Sequence, residues 1–331
     1  MGGDKLRCAV LGGGGMGVQN SINAESTGLA EVTAICSRRP EGGAELADLL
    51  GHQVSTYHDI SQLLVSEAPE LLIVAIPPYA HAGEVELAAR AGSHLFLEKP
   101  IALDLERARS QVAAVREAGV MSFVHFHLRS LTTVRRLGER LREGSAGHPV
   151  LFSASYFCNS LHAPWWRDAA RSGGQSVEQV IHLFDLARHL FGELEPVHAI
   201  RANSCHREEP GYTSEDVATT LLLGEAGPDY PAPVCQIAST NCAVPGEWRS
   251  RFSAVYENLT AEYDSTGSPP GRLLPVGGGN VEDLEEPTDP RAESMRAFLT
   301  AVREGDPSPV PIEEGLRTLE LVLRAAEIGR S

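Results

Sequence analysis

From residue 5 to about 126 the chain alternates short apolar runs with stretches of helical period. LRCAVL, VTAIC, LLIVAI, HLFLE and MSFVHF read as strands, being short apolar runs. Between them AELADLL, AGEVELAARA and LERARSQVAAVREAG space their apolar positions three and four apart and read as helices. Strand–helix alternation predicts a doubly wound parallel sheet, and runs this continuously apolar suit strands covered on both faces. Past residue 126 the pattern changes. A charged helix, VRRLGERLREG, leads to a break at Gly147 and Pro149, after which VLFSASYFC, VHAIRANS, VATTLLL, VCQIAST and RFSAVYE alternate apolar with polar, as half-exposed strands do. One helix, EQVIHLFDLARHLF, interrupts them, and two more are expected near 291–303 and 313–328. Stretches 227–233 and 267–279 are rich in Pro and Gly and read as surface loops.

The stretch CAVLGGGGMGVQN sets Gly12, Gly14 and Gly17 in G-x-G-x-x-G register directly behind the first strand, with a helix pattern following. Gly12 permits the tight turn, Gly14 lets backbone approach a pyrophosphate, and Gly17 lets the helix pack close to the strand. Gly15 and Met16 complete the loop at the helix start, where unpaired N–H groups and the positive dipole end favour phosphate. The expected fold is therefore α/β, with a Rossmann dinucleotide-binding domain over 1–126. A C-terminal α+β domain over 127–331 follows, built on a large, mostly antiparallel open sheet. An acid about 20 residues past the last glycine would bind a ribose 2′-hydroxyl. That count reaches Ser37, in CSRRPE, where Arg38 and Arg39 follow and no carboxylate is adjacent. A guanidinium there holds a 2′-phosphate, so NADP(H) is expected over NAD(H); two solvated surface arginines are the alternative.

Charge and cysteines narrow the partners. With 28 Lys and Arg against 44 Asp and Glu the net charge is −16, which repels nucleic acid and anionic membranes. Neither partner is expected. The six cysteines are scattered without a C-x-x-C pair, which fits a reducing cytoplasm. After Lys5 and Arg7 the apolar run lasts only from Cys8 to Leu11, too short for a secretion signal, and no run approaches the roughly 18 apolar residues of a membrane span.

VAIPPYAH at 74–81 and LFLEKPIA at 95–102 give the chain a resemblance to the glucose-fructose oxidoreductase, inositol dehydrogenase and MocA family. The resemblance extends over nearly the whole chain. It implies pyridine-nucleotide redox chemistry on sugars or related polyols, and a homodimer or homotetramer formed through the open sheet. By the same resemblance Glu98, Lys99 and Pro100 form the E-K-P motif, whose lysine reaches nicotinamide ribose and substrate. Pro77, Pro78 and His81 would line the cofactor, and Glu178-x-x-x-His182 stands where the family carries D-x-x-x-H.

Hydride transfer to or from an alcohol carbon needs a base for the hydroxyl proton. Imidazole ordinarily titrates near neutrality, which suits His182 as that base; Glu178 lies four residues earlier on one helix face, and Lys99 can polarise the substrate oxygen. These three are the expected catalytic residues. His127 and Arg129 in VHFHLR, Trp165 and Trp166, and Asp185 are expected to meet substrate. Plain alternatives stand beside these readings: an amphipathic core helix around His182, and tryptophans that close the core under a loop. His125 and His127 lack a third ligand, and no metal is expected. The function expected is an NAD(P)-dependent oxidoreductase acting on a sugar, nucleotide-sugar or polyol; a non-catalytic dinucleotide sensor is the alternative, disfavoured by the presence of both Lys99 and His182.

Overall fold

A computed structural model describes residues 5–39, 41–159 and 163–329. They form two units: one runs to His125 and also takes in Arg291–Leu316, and the other comprises Phe126–Pro290 with the residues from Arg317 onward.

In the first unit β1 (Leu6–Leu11), α1 (Gly15–Ser26), β2 (Ala30–Cys36), α2 (Gly42–Leu50), β3 (Ser55–Tyr57), α3 (Ile60–Glu67), β4 (Leu71–Val74), α4 (Glu84–Arg90), β5 (His94–Leu97), α5 (Leu105–Ala118) and β6 (Ser122–Val124) follow one another. The six strands are all parallel, in the order β3-β2-β1-β4-β5-β6. This is the doubly wound Rossmann sheet, and its order reverses between β1 and β4, where crevices for ligands open. Every residue of β4 is buried, as a strand covered on both faces requires. Helix ends follow local chemistry: Asp104 accepts from the Arg107 amide at 2.8 Å to start α5, and Gly119 at φ 66° ends it. Late residues complete this unit. Phe298 packs on Phe96 and Phe123, with centroids at 6.2 and 5.4 Å, and the Val124 amide donates to the Val310 carbonyl at 2.9 Å. The order of elements along the chain gave no sign that residues 291–316 join the first unit.

The second unit holds α6 (Thr132–Arg142), β7 (Pro149–Cys158), the short helices α7 (Pro164–Arg167) and α8 (Ala169–Ser172), α9 (Ile181–Phe191), and strands β8 (Leu194–Ala202), β9 (Val217–Gly224), β10 (Val234–Thr240), β11 (Trp248–Tyr256), β12 (Leu259–Asp264), β13 (Gly271–Pro275) and β14 (Glu282–Leu284). Two long helices close the chain, α10 (Pro290–Glu304) and α11 (Ile312–Ile328). The eight strands run β14-β13-β12-β11-β7-β10-β9-β8, antiparallel except where β10 pairs with β7. One sheet face buries Phe152, Ala154, Cys235, Ile237 and Leu222. The alternate positions Leu151, Val234 and Leu223 stand side by side on the other face and are exposed.

Two departures from the sequence pattern have local causes. The stretch 267–279 is not all loop: it contains β13, whose first residue, Gly271, is in keeping with a close approach, since a Cβ there would meet Thr133 Oγ1 at 1.9 Å. The helix around His182 is not uniform either. Ser176–Val180 is a π turn, and α9 proper begins at Ile181. Among the described residues no helix is long and apolar enough to cross a membrane.

Candidate functional site

In the first unit the glycine loop lies at the switch point and opens onto a groove of about 950 Å³. Gly12 takes φ 112°, and a Cβ there would stand 2.2 Å from the Ala75 carbonyl oxygen. Gly17 is the point of contact between α1 and the loop, since a Cβ would meet the Gly12 oxygen at 1.9 Å. Gly14 and Gly15 face open space. The turn and the close packing thus use Gly12 and Gly17, while Gly14 leaves room in front of the unpaired amides of α1. That open cradle fits a pyrophosphate.

Gly12, Gly14, Gly15, Ser37, Arg38, Arg39 and Pro77 line the groove; Met16, Gly17, Pro78, His81, Glu98 and Lys99 are not among its lining residues. Ser37 is buried, and its hydroxyl accepts from the Arg39 amide at 3.1 Å. The Arg39 guanidinium bridges to the Gly13 carbonyl at 3.1 Å and to Glu45 at 2.6 Å. Arg38 is exposed and has no ion-pair partner among the described residues, which leaves it as the cation available to a ligand.

His58, Asp59, Tyr79 and Glu84 also line the groove, and sequence reasoning missed them. Tyr79 stands inside the quoted VAIPPYAH, whereas His58 and Asp59 follow a strand of three residues that carries no apolar run. His81 forms an ion pair with Glu84, whose other oxygen accepts from the Ala82 amide at 2.7 Å. Burial alone would raise the Glu84 carboxyl, but His81 and the backbone amides hold it below the usual carboxylate range.

Behind Lys99 the Glu98 carboxylate accepts from Asn20 at 2.8 Å and meets His125 Nδ1 at 2.8 Å. Burial again pushes upward, and the His125 ring, Lys99 and Asn20 outweigh it, so Glu98 titrates below its ordinary range. His125 therefore belongs to the support of the E-K-P turn.

In the second unit the four-residue step from Glu178 to His182 crosses the junction between π turn and α-helix. Bonding from i to i+5 widens that turn locally, and both Glu178 and His182 are buried. Glu178 walls a small cavity of about 10 Å³, room for about one water, together with Trp166, Gln175, Gln179, Tyr212 and Asn241. Gln175 donates to Asn241 at 2.9 Å and Asn241 donates to Tyr212 at 3.1 Å. Glu215 anchors the π turn by accepting the Ser176 amide at 2.9 Å and hydroxyl at 2.6 Å.

His182 is buried and stands edge-on to His127, with centroids at 4.4 Å, and to Phe126 at 6.0 Å. The structure thus brings together the expected acid–base residue and an expected substrate contact. Asp185 goes elsewhere. It is fully buried and takes a two-pronged bond from Arg129, at 2.8 and 2.6 Å, with Thr318 at 3.3 Å. In the described structure its carboxylate orients Arg129. Trp166 stacks on Trp248 at 5.8 Å, and Trp165 lies 6.3 Å from Trp166, so one tryptophan is braced and both remain half-buried.

Comparison with known proteins agrees with this fold. Residues 6–126 match the model of the oxidoreductase family with an NAD-binding Rossmann fold, and 134–249 match the GFO/IDH/MocA C-terminal domain. D-apiose dehydrogenase of Paraburkholderia graminis is 30% identical over 88% of this chain and 79% of that enzyme. Myo-inositol 2-dehydrogenase of Thermotoga maritima is 26% identical over 96% and 94%. A levoglucosan dehydrogenase solved with NADH and levoglucosan superposes with a TM-score of 0.88 at 18% identity, covering 98% of this chain and 97% of that one, a likeness of fold.

Proposed function

The chain belongs to the Gfo/Idh/MocA oxidoreductase family, and we propose that it moves a hydride between NADP(H) and a hydroxyl-bearing carbon of a sugar or polyol. The observation that carries this reading is the open cradle at Gly14, set at the switch point against the amides of α1. Gly12 to Gly15 would hold the pyrophosphate, and the pyridine ring, when bound, supplies or accepts the hydride.

The chain's own residues handle the proton. Removing a hydride from an alcohol carbon leaves the hydroxyl proton to be taken up, and the His182 imidazole is the group suited to it near neutral pH. His127, edge-on to that ring, limits its rotation. Lys99 places an ammonium at the substrate oxygen, where it favours the developing alkoxide. Glu98 and His125 fix the backbone turn that presents Lys99. Arg129, whose guanidinium Asp185 orients, stands beside the His127 turn as a substrate contact, and Trp165 and Trp166 offer apolar faces to a sugar ring. Glu178, in its cavity, acts on the helix that carries His182.

NADP(H) is proposed over NAD(H) because no acid adjoins Ser37 in the sequence and Arg38, at the groove, has no ion pair among the described residues. All six cysteines are free thiols, in keeping with the cytoplasm. The exposed row Leu151, Val234 and Leu223 supports assembly through the sheet face into a dimer or tetramer.

The experiment is a screen of sugars and polyols with NADP+ and NAD+, followed by the appearance of reduced cofactor. Turnover of at least one polyol supports the reading. Tight cofactor binding with no turnover across a broad panel would favour a dinucleotide sensor. Light scattering that returned a single chain at micromolar concentration would remove the assembly.

A further inference from the structure

Three neighbouring strands of the large sheet end at one place. β8 ends at Ala202, β9 begins at Val217 and β10 ends at Thr240, and antiparallel pairing puts these three ends together. The ladder continues just past them: the Asp216 amide donates to the Ala202 carbonyl at 2.9 Å, and the Asn241 amide donates to the Asp216 carbonyl at 2.8 Å. Immediately beyond stand Cys205, Asp216 and Cys242, and one donor atom from each lies within 4.8 Å of the other two.

We propose that Cys205, Asp216 and Cys242 form a binding site for a thiophilic divalent cation of the zinc(II) type. The site is distinct from the redox machinery, and it shares no residue with the His125 and His127 pair considered from sequence. Two thiols with one carboxylate make a donor set that selects a soft or borderline ion over magnesium or calcium. Around a tetrahedral zinc, with Zn–S about 2.3 Å and Zn–O about 2.0–2.2 Å, donor atoms stand about 3.5–3.8 Å apart. From separations of up to 4.8 Å the cluster therefore needs to contract by about 1.3 Å at most. Cys205, exposed on the loop after β8, is the residue placed to make that movement.

Asp216 is fully buried, and its carboxylate is fixed by the amides of Ser204 at 2.7 Å, Cys205 at 2.7 Å and His206 at 2.9 Å. Those bonds aim the carboxylate and leave lone pairs for an ion, an arrangement that supports ligands in protein metal sites. His206 lies with Nδ1 3.2 Å from Asp216 and stacks on Tyr212 at 4.7 Å, which braces the same loop. Binding would release one proton from each thiol, giving two thiolates and a carboxylate around the dication, and the exposed side at Cys205 leaves the fourth position to water. The bound ion would tie together segment 203–216 and the end of β10.

The test uses the full chain, reduced and stripped of metal. Zinc(II) is titrated against a competing chromophoric chelator, and cadmium(II) is titrated while the ultraviolet thiolate-to-metal band is followed. One tight equivalent per chain, release of about two protons and a thiolate band are expected. Cys205→Ser and Cys242→Ser should each abolish the band, and Asp216→Asn should weaken zinc by at least about tenfold. Because Cys205 is exposed, its substitution tests the site without disturbing a core. The proposal is overturned if tight zinc survives in the double serine variant, or if reduced protein takes up no metal. It is equally overturned if air oxidation yields a Cys205–Cys242 disulfide in protein that never bound metal when reduced.

Discussion

Replacing Gly17 and Gly14 separately by alanine divides what the glycine loop does for the fold from what it does for the cofactor. At Gly17 the added Cβ meets the Gly12 oxygen at 1.9 Å and its carbon at 3.0 Å, and both obstacles are backbone. Restoring a normal contact needs a shift of more than 1 Å between loop and helix. Overpacking of this kind costs about 1–3 kcal/mol, and with no flexible side chain to yield, the upper end applies. A loss of about 3 kcal/mol lowers Tm by roughly 6–12 °C in a domain of this size. The same shift misaligns the α1 amides; losing one hydrogen bond to a charged phosphate, about 1.5–3 kcal/mol, weakens NADPH about tenfold to a hundredfold.

Gly14 differs. It sits at φ −83° and ψ 178°, which alanine adopts freely, and nothing lies within 4 Å of its Cβ position. Gly14→Ala should leave Tm within about 2 °C of the parent, its capping and chain-entropy effects being of order 0.5 kcal/mol and opposed. It should still weaken NADPH by at least tenfold, because the methyl occupies the space reserved for phosphate. Thermal melts with and without cofactor, beside fluorescence titration, give both quantities. If Gly17→Ala melts like the parent, the packing argument is wrong; if Gly14→Ala binds like the parent, the pyrophosphate does not lie there.

Three further outcomes are expected. Arg38→Ala should weaken NADPH by about 1–3 kcal/mol and leave NADH nearly unchanged, whereas equal losses in calorimetric titration would remove the 2′-phosphate role. His182→Asn should lower kcat by about 10²–10⁴ while NADPH affinity stays near the parent value, and a parental kcat would return His182 to a purely structural part. Glu98, held below its ordinary range when folded, contributes stability that is full above about pH 4.3 and is lost as pH falls through its folded value. Glu98→Gln should flatten the acid limb of a circular-dichroism titration below that pH, and parallel limbs would contradict the assignment.

What was legible in the sequence was whatever is decided over short range. The glycine register, the first strand and the helix start lie within 20 residues of one another, and each constrains the next. The E-K-P turn was legible for the same reason, but its support was not, because Asn20, Glu98 and His125 meet only once the sheet has formed. The bond between Asp185 and Arg129 was not legible either, because the two stand 56 residues apart. The π turn escaped because one widened turn scarcely alters apolar spacing. β13 read as loop because Gly271 and its neighbouring prolines imitate a turn, although the glycine is there to admit Thr133.

The cover that Phe298 gives to Phe96 and Phe123 bears on how the protein is made. On the ribosome Phe298 appears 298 − 123 = 175 residues after Phe123, which at about 5–20 residues per second is roughly 10–35 s later. Through that interval the nascent Rossmann sheet shows two phenyl rings that later lie buried, and the β6 edge waits for the carbonyl of Val310. Birth order and folding order therefore differ. The cofactor-binding half, first to be synthesised, is among the last parts to be finished, and a gene fragment stopped at residue 126 encodes a sheet with its edge and its aromatic patch left open to aggregation.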